Sequence, residues 1–267
     1  MIIAKTYELL HLKYGSRIKD LLIEDIRIGT FMSAVKLSDQ SYGLASTLFD
    51  EDTYYGKKNR DFSAFTPGNI KGQKVTDLFE TEKKSGLIDT LKTAVLNAIS
   101  AKILEEGHYR IIQNADPVDL IDLQPPKVIT IVGAFQSYIE KLSATENTLH
   151  VLELNESALL DHQKKFFVPA SQYEIVVPVS DVVIITGLTL VNNTIDDLLA
   201  AISPGTQVVI TGPSSSLIPD VLFDHKVTAI GATRITHPEL LFDVVGSGGK
   251  GYHLFRYCAE KISILPG

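Results

Sequence analysis

The sequence predicts an α/β protein in two parts: an α+β unit over residues 1–115, then a doubly wound, mostly parallel three-layer domain over residues 116–267. Three observations carry this. A chain of 267 residues is long for one core and comfortable for two. Charged and aromatic residues are dense before Asp116, and strand-like runs there precede a late helix. After Asp116, β-branched runs alternate with helical patterns.

In the first part, IEDIRIGTFMSAVKLSDQSYGLAST (23–47) reads as two or three antiparallel strands with a turn at LSDQS. Residues 50–72 follow neither the helical nor the strand period and read as a long loop, a candidate lid. LIDTLKTAVLNAISAKILEE, from Leu87, spaces Leu91, Ala94, Val95, Ala98, Ile99 and Ile103 as one helix face. In the second part, KVITIVG, LHVLELN, EIVVP, DVVIITG, QVVITG and VTAIGA read as strands. Helices are expected near Gln136–Leu142, over TIDDLLAAI, and over HPELLFDVVGSG. Strands this apolar suit a parallel sheet covered on both faces. Pro125-Pro126-Lys127 marks its entry.

Composition excludes several classes of function. A net charge of −7 with no dense basic cluster argues against nucleic acid. A single cysteine, Cys258, cannot form an internal disulfide and fits a reducing cytoplasm. No signal peptide is expected at the start, and the apolar runs break too early to span a membrane. The seven histidines form no H-x-x-x-H or H-E-x-x-H pair, so spacing supports no protein-only metal site.

In an open parallel sheet, ligands bind beyond the carboxyl ends of the strands. Those ends hold Gly133 and Phe135, Glu153, Thr186 through Thr189, Gly212 through Ser216, and Gly231 through Arg234. Glycines there let a backbone approach a ligand, and hydroxyls donate to its oxygens. DVVIITGLTLVNNTIDDLL concentrates Thr186, Thr189, Asn192, Asn193 and Thr194 at one strand mouth. One asparagine there can cap the following helix, which leaves Thr186 and Thr189 to explain. Glu153 stands twenty residues after Gly133, where dinucleotide-binding domains keep a ribose-binding acid, yet GAFQSY is no G-x-G-x-x-G. TGPSSSLIPD is neither a phosphate loop nor a serine elbow.

The runs TGLTLVNNTIDDLL, VVITGPSSSLIPDVLF and VTAIGATRITHPELLFDVVGSGG resemble the family called the putative heavy-metal chelation domain. SYGLAST and LKTAVLNAISAKI look like its companion domain, whose fold is similar to the enolase N-terminal domain. The resemblance implies an enolase N-terminal-like domain, a Rossmann-like domain, and a pocket in the cleft between them. It further implies handling of small metal-chelating molecules, pterin- or flavin-like among them. Matched by motif, the ligand-binding candidates are Gly133, Phe135, Thr186, Gly187, Thr189, Asn192, Thr194, Gly212, Pro213 and Ser214, with Asn97 from the long helix. The charged loop 50–72 departs from the family pattern.

The first functional expectation is therefore a small-molecule site in the interdomain cleft. Phe135 stacks on a planar ring there, and Glu153 is the candidate catalytic group. A non-catalytic carrier of a metal chelate is the second. A nucleotide- or S-adenosylmethionine-dependent enzyme, resting on Gly133 and Glu153, is the third. No cofactor is assigned by the sequence. Exposed strand edges in the first part leave room for a homodimer.

Overall fold

The computed structural model describes residues 1–49, 61–107 and 109–267. Residues 50–60 of the expected lid lie outside the described residues.

The chain opens with a helix, not with the strands expected there: α1 (Ile2–Ile18) buries Ile2, Ile3, Thr6, Leu10 and Ile18. That stripe is narrow, and Tyr14 leaves helical geometry (φ −130°, ψ 19°), so the helical period fades from the sequence. The antiparallel meander follows as expected, with β1 (Ile23–Ile28), β2 (Met32–Leu37) and β3 (Tyr42–Ser46) in sequential order. Its second turn holds Gln40 at φ 69°, and Asp39 Oδ1 accepts from Ser41 N at 3.1 Å and Ser41 Oγ at 2.7 Å.

After α2 (Val75–Glu80) comes the expected long helix, α3 (Gly86–Glu105), capped by the Ser85 hydroxyl accepting from Ile88 N at 3.2 Å. Leu91, Ala94, Val95, Leu96, Ala98 and Ile99 are all buried, so α3 is apolar around most of its circumference. One side meets β3 so closely that a Cβ on Gly43 would lie 2.1 Å from Ala94 O. Its other contacts run into the same core as Val183, Ile185, Val208 and Ile210 of the second part.

The remaining elements build one eight-stranded sheet. In chain order they are β4 (Arg110–Gln113), β5 (Val128–Val132), α4 (Gln136–Ser143), β6 (Thr148–Glu153), β7 (Phe167–Pro169) and α5 (Tyr173–Val176). Next come β8 (Val182–Thr186), α6 (Leu188–Val191), α7 (Ile195–Ala201), β9 (Gln207–Thr211), α8 (Asp220–Asp224) and β10 (Ala229–Ile235). The chain finishes with α9 (Pro238–Gly246), α10 (Gly251–Tyr257) and β11 (Ala259–Leu265). EIVVP, expected as a strand, contributes to α5 instead; a short apolar run fits either period, and Glu174 in the first turn favours the helix.

The sheet order is β4-β11-β10-β9-β8-β5-β6-β7. From β10 to β7 all neighbours are parallel, whereas β11 runs antiparallel to both β10 and β4. The six parallel strands thus follow the doubly wound order, with its reversal between β5 and β8. The α4 face buries Ile129, Ile131, Ile139, Leu142, Ile184 and Val209. A third cluster joins Met32, Ala34 and Leu44 of the meander to Leu241, Val245 and Leu254, so α9 and α10 clasp the small sheet from the side opposite α3. Among the described residues, no helix is long and apolar enough to cross a membrane.

Candidate functional site

The crevice at the strand-order reversal is closed by protein. Gly133, at φ +102°, ends β5, and a Cβ there would stand 3.1 Å from Thr186 Cγ2 at the end of β8. The polar cluster that follows serves the backbone. Thr186 Oγ1 accepts from Leu188 N at 3.3 Å, and Thr189 Oγ1 donates to Thr186 O at 2.7 Å. Asn192 Oδ1 accepts from Thr194 N at 3.2 Å and Thr194 Oγ1 at 2.7 Å. Asn193 takes a left-handed φ of 60° between them. Each hydroxyl and amide thereby replaces a bond the backbone lacks as it turns from strand into two short helices.

Gly187 and Ser214 sit where the two parts touch. A Cβ on Gly187 would meet Ser215 N at 3.1 Å. The Ser214 hydroxyl accepts from Ser46 N at 2.8 Å and donates to Ser46 Oγ at 3.1 Å. Asn97 Nδ2 donates to Leu44 O at 2.7 Å and Ser214 O at 3.1 Å. Gly187 and Ser214 thus sit in a polar seam where the long apolar α3 packs onto the sheet, whereas Asn97 also lines a cavity of about 210 Å³ between the two parts.

Glu153, the candidate catalytic group, folds back on its own backbone: Oε1 accepts from Leu154 N at 2.7 Å and Asn155 N at 3.2 Å. It does not line the cavity at the ends of β9 and β10.

The roomy hollow lies one strand further along. A cavity of about 600 Å³ opens at the carboxyl ends of β9 and β10, under the start of α4 and beside α10. Phe135, Gly212 and Pro213 line it, as a strand-end site requires. Phe135 and Tyr138 come from the α4 side, with ring centroids 5.1 Å apart, and Tyr252 and Phe255 come from α10. Gly212 adopts φ +130°, and a Cβ on Gly231 would collide with Thr211 Oγ1 at 2.3 Å, so bare backbone forms part of the wall.

One polar network marks this wall. Asp116 Oδ1 accepts from Val118 N at 3.1 Å and from the Tyr138 hydroxyl at 2.8 Å, while Oδ2 accepts from Lys261 Nζ at 2.8 Å. The Asp116 side chain is only 12% exposed. Burial pushes the Tyr138 phenol well above the usual tyrosine range, and the negative charge of Asp116 pushes it further. A phenol so held stays a hydrogen-bond donor, and Asp116 is already engaged by three groups. The arrangement can therefore orient a polar ligand edge more readily than it can abstract a proton.

Sequence reasoning missed Asp116, Tyr138 and Lys261 as site residues. Asp116 before Pro117 carried a helix-cap signal, and it does cap the short turn 117–120. Nothing local links it to Lys261, 145 positions away.

Among the described residues, no three His, Cys, Asp or Glu side chains converge as metal ligands. Cys258 is buried, and its thiol is raised by that burial and then by the charge of Glu239, so it stays protonated.

Residues 116–264 match a domain family, and residues 12–100 match a second, both described as "putative heavy-metal chelation". An uncharacterized protein of Methanocaldococcus jannaschii is 25% identical over 223 residues, covering 79% of this chain and 80% of that one. A protein of unknown function from Pyrococcus horikoshii, assigned to the first family, superposes with a TM-score of 0.79 at 20% identity over the whole of both chains. A family member of unknown function from Desulfitobacterium hafniense gives 0.71 at 19% identity, over 97% of this chain and 99% of that one. These likenesses show a shared fold. With the first family's pattern covering more than half of its length, this chain belongs to the putative heavy-metal chelation family.

Proposed function

We propose that the protein binds a small, planar, polar metabolite in the cavity between α4, β9, β10 and α10, and that heavy-metal chelation runs through this metabolite. The observation that carries the reading is the pairing of aromatic walls, Phe135, Tyr138, Tyr252 and Phe255, with the Asp116–Tyr138–Lys261 network in a space of about 600 Å³. Aromatic faces favour a flat ring in offset contact, and a few fixed polar groups orient it. Pterin- and flavin-like heterocycles have this shape and can carry a metal at their own donor atoms. Such chemistry needs no cluster of protein ligands, in keeping with the side chains around the cavity.

The test is binding of pterins and flavins, followed by calorimetry and absorbance, with native mass spectrometry of the purified protein. Micromolar binding that weakens about tenfold in Phe135→Ala, a loss of about 1.4 kcal/mol, supports the reading. Failure of every planar heterocycle to bind folded protein overturns it.

A second reading, a nucleotide- or S-adenosylmethionine-dependent enzyme, is favoured by the doubly wound strand order and by Gly133 at positive φ after the first parallel strand. Thermal shift by adenine cofactors that is lost in Glu153→Gln would favour it over the first.

A further inference from the structure

The sheet wall of the strand-end cavity has its acceptors in use. Asp116 takes hydrogens from Val118 N, the Tyr138 hydroxyl and Lys261 Nζ. Ala115 O accepts from Ser263 Oγ at 2.9 Å, Thr211 O from Gly187 N at 2.8 Å, and Thr233 O from Ser216 Oγ at 3.2 Å. Gly212 O accepts from Ser215 N at 3.1 Å, and Gly231 O from the Ser215 hydroxyl at 2.6 Å. Gln136 and Ser137, at the mouth, are exposed, so water serves their polar atoms.

Donors on the same wall are left over. Thr233 and Lys261 are cross-strand partners on β10 and β11, so their side chains share a face. A Cβ on Gly231 would point at Thr211 Oγ1 and Pro117 Cγ, 2.3 and 2.8 Å away, which sets Gly231 on the cavity side. Thr233, two residues later on the same strand, points the same way. Arg234 and Glu260, next in register, pair at 3.0 Å on the opposite face. Thr233 is 8% exposed, and its hydroxyl makes no hydrogen bond to a described residue. The partnerless side-chain atoms sealed from outside are Thr6 Oγ1, Asn97 Oδ1 and His150 Nδ1; Thr233 Oγ1 is not among them, so it keeps surface open to the cavity. Beside it, Lys261 Nζ gives one of its three hydrogens to Asp116. Asp116 and Lys261 are the charged side chains of the described lining and offset each other, which leaves no net charge to select an ionised guest.

We propose that the guest of this cavity is an oxo-heterocycle, and that it turns a neutral ring carbonyl to β10 and β11, where Thr233 Oγ1 and Lys261 Nζ donate to the carbonyl oxygen. The proposal rests on the planar-metabolite reading of the same cavity and narrows its chemical class. A carbonyl oxygen has two lone pairs in the plane of its ring, one for each donor. An amino group in the same place would meet the Lys261 ammonium donor to donor, and would find the nearby carbonyls and Asp116 already bonded. Thr233 and Lys261 are thus the residues that choose between the two kinds of ring.

The test uses the full chain and two probes of one shape: lumazine, a pteridine with two ring carbonyls, and diaminopteridine, the same bicycle with amino groups in their place. Both are titrated by calorimetry at a pH where both are neutral. Lumazine should bind at least about tenfold more tightly. Thr233→Val, which keeps the side-chain volume, should weaken lumazine about three- to tenfold and narrow its lead, whereas Thr233→Ser, which keeps the hydroxyl, should restore it. Lys261→Met should narrow the lead as well; should Thr233→Val fail to fold, that variant and the two probes decide. Equal or tighter binding of diaminopteridine, or a lead unchanged in both Thr233→Val and Lys261→Met, would overturn the proposal and leave a planar guest in place. Binding of neither probe would overturn it too, and failure of the flavins besides would take the planar-metabolite reading with it.

Discussion

Ser46 and Ser214, 168 positions apart, are joined by two hydrogen bonds: the Ser46 amide donates to the Ser214 hydroxyl at 2.8 Å, and that hydroxyl donates to Ser46 Oγ at 3.1 Å. Ser214 is 1% exposed, so nothing else can replace the acceptor it offers. Ser214→Ala should cost about 1–3 kcal/mol by leaving a buried N–H unanswered. Urea unfolding checks this; a loss below about 0.5 kcal/mol would show that the seam carries no stability of its own.

Gly43 is the tightest point between the small sheet and α3. A side chain at this position meets backbone on α3, Ala94 O at 2.1 Å and Ala98 N at 2.3 Å, neither of which can rotate away. Gly43→Ala is expected to destabilise by about 3 kcal/mol or more, at the upper end of overpacking costs. The same change at Gly205, where nothing lies within 4 Å but φ is +87°, should cost about 1 kcal/mol from backbone strain alone. Thermal unfolding of the pair separates collision from strain.

Two half-buried phenols set the alkaline limit. Tyr138 is raised by burial and then by Asp116; Tyr109 is raised by burial and then by its 2.7 Å hydrogen bond to Asp220. Each keeps its proton in the folded state at a pH where the unfolded chain, with ordinary tyrosines near 10, has begun to lose it. The stability they provide is whole below about pH 10 and falls as pH climbs above it toward the folded values. Urea midpoints from about pH 8 to about pH 11 should decline, and the decline should shrink in Tyr109→Phe combined with Tyr138→Phe.

Lys261→Met removes a cation from Asp116 and should weaken binding of a planar metabolite about three- to tenfold while leaving the fold intact, since Val118 N and Tyr138 still hold the carboxylate. Calorimetry of variant and parent checks it. Unaltered affinity would place the ligand away from this wall.

Metal content offers a separate check on the chelation reading. Protein stripped of small molecules should bind zinc, nickel and copper no better than an ordinary surface, and it should take up metal only with the heterocycle present. Stoichiometric metal in the stripped protein, read by elemental analysis, would point to a site built from its own side chains.

Five strands of the parallel sheet were legible because their runs are rich in β-branched residues, such as Val182 through Ile185, whereas β7, three residues long, was not. The first helix was not, because its buried stripe is thin and Tyr14 interrupts it. The thread of hydroxyls from Thr186 to Thr194 was visible as a cluster, but its use was not. A threonine that answers a backbone amide and one that answers a ligand look alike until the partner is placed. Phe135, Gly212 and Pro213, which the strand-end rule names, line the cavity at the ends of β9 and β10. Asp116 and Lys261 were missed because their meeting depends on β11, a strand the alternating pattern did not announce.

That strand has a consequence for how the protein is made. β11 is the last element of the sequence, yet it lies inside the sheet, with β10 on one flank and β4 on the other. While the chain emerges from a ribosome, β4 must wait through more than half of the polypeptide before its neighbour exists. The nascent molecule thus carries two bare sheet margins until β11 has been made, and the Lys261 that reaches Asp116 arrives with it.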